Sequence, residues 1–296
     1  MLITERPSLI AIQNVLFATD FSAASNAALP FALEFASRYN ATLFLAHAVP
    51  PMPAVVPVEP VPDQTELLRR GAEREMEKFV NLAELKELPH QSIVMDGEVW
   101  DVIRQIVADR RIDLVVLGTH GRGVLHKLIV GSVAEEIYRT VKCPVLTIGP
   151  EVIAPAIPRQ KMWRIVFATD FSEGSLHALR YALMFAKENR SKVTFLHMIG
   201  HPGTLPADTG DELVKESIAR MKEMAGEGLE GDAVEFVAEY GSPGPDIVRK
   251  ATELEADLLV MGVHPGHHAS SHLPWTVASH VLAHARCPVL TVRGGQ

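Results

Sequence analysis

The sequence is written twice, so any fold it adopts has to accommodate two copies of one unit. Val15-Leu16-Phe17-Ala18-Thr19-Asp20-Phe21-Ser22 returns as Ile165-Val166-Phe167-Ala168-Thr169-Asp170-Phe171-Ser172, and 13 of the 22 positions from 15 to 36 are identical to those 150 residues later. His47 and His197 keep that register. Further on the spacing falls to 144. Asp113-Leu114-Val115-Val116-Leu117-Gly118 answers to Asp257-Leu258-Leu259-Val260-Met261-Gly262, and Cys143-Pro144-Val145-Leu146-Thr147 to Cys287-Pro288-Val289-Leu290-Thr291. The second copy is therefore shorter between these blocks. The loss is expected in the stretch with Pro50, Pro51, Pro53, Pro57, Pro60 and Pro62, which can be neither helix nor inner strand. A second Pro-rich stretch, Pro150 to Pro158, reads as a linker, so two units are expected at 1–150 and 151–296.

Within each copy the hydrophobic period alternates. Short apolar, β-branched runs read as buried strands at Asn14–Ala18, Thr42–Ala48, Ser92–Met95, Asp113–Gly118 and Pro144–Ile148. Helical patterns fall between them: Ser22 caps a helix to about Tyr39, kinked at Pro30, and others span Glu66–Leu85, Val99–Arg110 and Ser132–Thr140. Strands alternating with helices predict an α/β fold, each copy a doubly wound, five-stranded parallel sheet covered on both faces.

Charge and composition remove several classes. The chain has 28 Lys+Arg against 36 Asp+Glu, a net charge of -8 and no basic block, which argues against nucleic acid as a partner. No apolar run approaches a membrane span, and no signal peptide is visible, so a cytoplasmic location is expected. The two cysteines, Cys143 and Cys287, sit in equivalent Cys-Pro contexts and read as buried reduced thiols.

The segment after the fourth strand carries the chemistry. Gly118-Thr119-His120-Gly121-Arg122-Gly123 continues to Gly131-Ser132, a G-x2-G-x9-G-S pattern between a strand and a helix. Gly118 and Gly121 let the backbone turn and approach a ligand, Gly131 and Ser132 offer N–H groups and a hydroxyl at a helix N-terminus that favours anions, and Arg122 either adds a mobile positive charge or is a solvated loop residue. A flexible loop with a Ser-capped helix is the competing reading. The chain lacks G-x4-G-K-[ST], so this is not a P-loop. Asp20 and Asp170 end the first strands, where each either accepts from the base or ribose of a nucleotide or orients the turn at the following Ser.

On Thr19-Asp20-Phe21-Ser22, His47-Ala48-Val49, Gly118-x2-Gly121-x9-Gly131-Ser132 and Cys143-Pro144-Val145-Leu146, the chain resembles a tandem member of the universal stress protein family. The resemblance spans nearly the whole chain. It implies a Rossmann-like sheet of order 3-2-1-4-5, with fifth strands pairing about a two-fold axis, here inside one chain as a pseudo-dimer that is free to dimerise further. It also implies ATP as ligand: adenine against Ala18, Asp20 and Ala48, ribose and phosphates against Gly118, Gly121, Gly131, Ser132 and Val133, and Mg or Mn bridging the phosphates; Thr19 and Arg122 are further nucleotide-binding candidates. The function it implies is a nucleotide-dependent regulator of stress responses with a protein partner still to be identified. A slow ATPase or nucleotide hydrolase and a non-catalytic protein-binding scaffold are the alternatives. Binding is preferred over turnover because no carboxylate lies between Thr119 and Val130 to hold a metal or act as base.

The second copy departs from the pattern. Gly121 becomes Pro265, Gly131 becomes Trp275 and Ser132 becomes Thr276, while Asp170, Gly262 and Met198 (in place of Ala48) remain as equivalents. Weak or absent ATP binding is expected there. His264, His267, His268 and His272 in the same loop either ligate a metal or are exposed loop histidines, since their spacing matches no established ligand pattern.

Overall fold

In a computed structural model, residues 10–51, 64–119, 131–152, 163–200, 207–226, 233–264 and 276–294 are described. Gly121, Arg122, Pro265, His267, His268, His272 and Trp275 lie outside them. The first copy runs β1 (Asn14–Ala18), α1 (Ala23–Tyr39), β2 (Thr42–Val49), α2 (Gln64–Val80), a 3-10 turn (Ala83–Glu87), β3 (His90–Asp96), α3 (Val99–Asp109), β4 (Leu114–Gly118), α4 (Ser132–Thr140) and β5 (Val145–Ile148). The second runs β6 (Arg164–Ala168), α5 (Glu173–Asn189), β7 (Lys192–Ile199), α6 (Ala207–Ala225), β8 (Val234–Tyr240), α7 (Pro243–Glu253), β9 (Leu258–Val263), α8 (Val277–His284) and β10 (Val289–Arg293).

The strands form one sheet of order β3-β2-β1-β4-β5-β10-β9-β6-β7-β8. Each half has the expected order 3-2-1-4-5 and is parallel throughout. The halves meet where β5 and β10 pair antiparallel, Leu146 opposite Leu290. Helices α1, α2, α5 and α6 pack one face and α3, α4, α7 and α8 the other. Covering both faces explains why β1, β4 and β9 are almost uniformly apolar and buried.

Side chains also join the halves. Phe35 of α1 packs edge-on to Phe185 of α5 at 5.6 Å, and Arg38 lies 4.6 Å over the Trp163 ring. On the opposite face the Tyr138 hydroxyl shares a buried 3.1 Å hydrogen bond with Ser279 Oγ.

Helix α1 holds Pro30 within its span, facing solvent. Two local expectations shift. The expected Glu66–Leu85 helix stops at Val80, and a 3-10 turn then buries Leu85. Asp113 is not in β4; its Oδ2 accepts from the Gln13 and Asn14 N–H groups at 2.8 and 2.9 Å and ties down the start of β1.

Candidate functional site

The site begins where β1 hands over to α1. Thr19 N–H donates to the Ala46 carbonyl at 3.0 Å, extending the pairing with β2 by one residue. Thr19 Oγ1 accepts from the Phe21 N–H at 2.9 Å, and Asp20 Oδ1 accepts from the Ser22 N–H at 3.0 Å. Ser22 Oγ caps α1 by accepting from the Ser25 N–H at 3.2 Å. This net holds Phe21 at φ 63, a left-handed conformation that costs a non-glycine residue energy. The Phe21 ring lies 4.4 Å from His47 and 5.8 Å from Phe79, and His47 Nδ1 stands 2.8 Å from the Thr19 carbonyl. Asp20 therefore does orient the turn, and its side chain also lines a cavity.

That cavity, of about 760 Å³, opens at the C-terminal ends of β1, β2 and β4, where the strand order reverses between β1 and β4. This is where open α/β sheets hold ligands, and its size suits a small molecule. Of the residues singled out in the first copy, Ala18, Thr19, Asp20, Ala48, Gly118, Gly131 and Val133 all line it. Ser132 opens α4 between two lining residues, though the position of its side chain is not described. Sequence reasoning missed the far walls, Leu67, Leu68, Gly71 and Ala72 of α2 and Val99 and Ile103 of α3. A glycine inside the α2 pattern, next to a Leu-Leu pair, was the available signal.

The glycines have a reason beyond ligand approach. A Cβ at Gly118 would stand 2.5 Å from the Ala24 carbonyl oxygen, and one at Gly131 would stand 2.7 Å from that of Thr119. The backbone of α1 crosses the end of β4 too closely for any side chain. The Gly131 N–H donates to the Thr119 carbonyl at 2.8 Å and brings the two ends of the intervening loop together. Gly131 is the residue before α4, and with Val133 and Ala134 it lines the cavity, so the first turn of that helix, whose N–H groups have no partner within the helix, borders the cavity.

In the second copy the equivalent carboxylate is held from several sides. Asp170 Oδ1 accepts from Ser175 Oγ at 2.6 Å and from the Ser172 N–H at 3.0 Å, while Oδ2 lies 3.0 Å from His264 Nε2. Burial works to raise this carboxyl, but the hydrogen bonds from Ser172, Ser175 and His264 outweigh it and hold the group at about 2. Thr276 Oγ1 is taken up in capping α8, accepting from the Ser279 N–H at 3.2 Å. Met198, in the place of Ala48, is buried in the core beneath α7 and α8. Gly262 repeats the Gly118 contact: its Cβ would stand 2.3 Å from the Gly174 carbonyl carbon.

A doubly wound sheet with a crevice at its switch point and a helix N-terminus beside it is the frame of a Rossmann-like α/β protein. The universal stress protein family matches residues 11–149 and again 162–293, and the chain belongs to that family. A universal stress protein from Mycolicibacterium smegmatis is 25% identical over 294 residues, covering 94% of this chain and 96% of that one. A single-unit relative from Thermus aquaticus is 28% identical over 137 residues, 46% of this chain and 98% of that protein. The crystal structure of a universal stress protein from Archaeoglobus fulgidus superposes with a TM-score of 0.74 at 20% identity, covering 97% and 99% of the two chains.

Proposed function

We propose that the first unit, 1–150, binds ATP or a related adenine nucleotide in this cavity, and that the second, 151–296, keeps the fold without an equivalent working site. The chain would then act as a cytoplasmic, nucleotide-dependent regulator of stress responses whose surface or protein partner changes with occupancy. One observation carries the reading: seven residues chosen for nucleotide contact on sequence grounds line one cavity of about 760 Å³ at the switch point. Backbone edges at Ala18 and Ala48 suit an adenine, and the first turn of α4 suits a phosphate. Among the described residues no three or more His, Cys, Asp or Glu stand together as metal ligands. A Mg or Mn ion would sit on the phosphates of the ligand, with Asp20 a cavity-lining carboxylate at the end of β1.

Isothermal titration with ATP and Mg tests this, with one nucleotide per chain expected. Two equivalent sites per chain would overturn the unequal assignment, and no binding of ATP, ADP or AMP would overturn the nucleotide reading. Phosphate release in the same sample separates binding from slow hydrolysis.

A further inference from the structure

One wall of the cavity has no work to do for a phosphate. We propose that the cavity takes an adenine nucleotide bearing an acyl chain: the nucleotide end lies against β1, β2 and the start of α4, and the chain lies between α2 and α3. The inference rests on the nucleotide reading above and names the ligand class of that site.

Three observations point to the chain. Gly71 stands inside α2, where glycine weakens a helix relative to alanine, yet a Cβ built there meets no atom within 4 Å. Packing does not require this glycine; it lines the cavity and leaves room in it. Beside it, Leu67 and Leu68 are 64% and 46% exposed, among the most exposed large apolar side chains described, and both face the same cavity. Apolar surface gathered at the rim of one cavity marks a binding region for apolar matter. Val99 and Ile103 close the opposite side.

Charge decides which end goes where. Glu75 is the ionisable residue of the α2 wall, and it is ion-paired with Lys78 at 2.6 Å. A phosphate turned this way would meet a carboxylate and hydrocarbon, which leaves an anion without a partner; turned the other way it meets the N–H groups of α4. In α6, which follows β7 as α2 follows β2, the matching apolar pair Leu213 and Val214 is only partly exposed, and Val214 packs against the core, whereas Leu67 and Leu68 stand open at the cavity.

The test is a series of non-hydrolysable acyl-sulfamoyl adenosines with acetyl, butanoyl and octanoyl chains, titrated calorimetrically into the full-length protein. A fully buried methylene tightens binding about fourfold, so octanoyl is expected to bind at least about tenfold tighter than acetyl even with part of the chain exposed. Gly71→Leu fills the space with a good helix former and is expected to flatten the series to less than about threefold. Equal affinity for acetyl and octanoyl overturns the chain proposal and leaves the nucleotide reading standing. A gain with chain length that survives Gly71→Leu also overturns it, because the chain then lies elsewhere. Failure of every member to bind in a sample that still binds ATP overturns the chain proposal alone; failure of ATP, ADP and AMP as well overturns both.

Discussion

His264 Nε2 stands 3.0 Å from Asp170 Oδ2, joining the end of β9 to the end of β6 across the second copy's crevice. The same carboxylate takes Ser175 Oγ and the Ser172 N–H on its other oxygen. Its pKa falls from 3.8 to about 2, because these bonds outweigh the burial that would raise it. A carboxyl depressed by folding adds stability that is complete above its unfolded pKa, near 4, and is lost as pH falls toward 2. Thermal melts between pH 5 and pH 2 should show this acid limb, and Asp170→Asn should flatten it. An unchanged limb in the variant would assign it to other carboxylates.

The two copies differ at one position that a swap can probe. Ala48 lines the cavity, and Met198, its larger equivalent, is buried to the same 6% exposure in the same core cluster. Ala48→Met should cut nucleotide affinity by about tenfold or more while the protein stays folded, since a side chain placed where the ligand must lie costs both space and contacts. Calorimetric titration of wild type and variant, with circular dichroism as the folding control, reads the difference.

Gly118 and Gly71 should respond in opposite senses to the same change. Gly118→Ala drives a Cβ to 2.5 Å from the Ala24 carbonyl oxygen and is expected to cost about 1–3 kcal/mol. Gly71→Ala meets nothing within 4 Å and should stabilise the protein by about 0.5–1 kcal/mol, the helix preference for alanine over glycine. Urea denaturation of both variants checks the pair.

Burial pushes the thiols of Cys143 and Cys287 up to about 12. Both should therefore be almost wholly protonated at pH 8 and react with a disulfide reagent far more slowly in the native protein than in urea. Rapid stoichiometric labelling of the folded chain would contradict that.

Much of the site was legible because local spacing carries it. The strand-end Thr19-Asp20-Phe21-Ser22 and the glycines flanking β4 and α4 are sequence neighbours of regular elements, and elements of that period place them at strand ends. The α2 and α3 wall was not legible: Leu67, Leu68 and Gly71 form no motif with Gly118, and only the packing of α2 and α3 on opposite faces of the sheet brings them to one cavity. Thr276, the counterpart of Ser132, caps α8 with its hydroxyl, a bond that spacing along the chain does not announce.

By itself the sequence determined the duplication, the α/β alternation and the strand-end position of the chemistry, because repeat identity and hydrophobic period are local properties of a chain. Only the tertiary structure decided why Gly118 must be glycine and where Asp170 spends its oxygens. Those depend on contacts between residues as far as 94 positions apart, Ala24 with Gly118 or Asp170 with His264. Such distances are set by how the elements pack and not by the spacing along the chain.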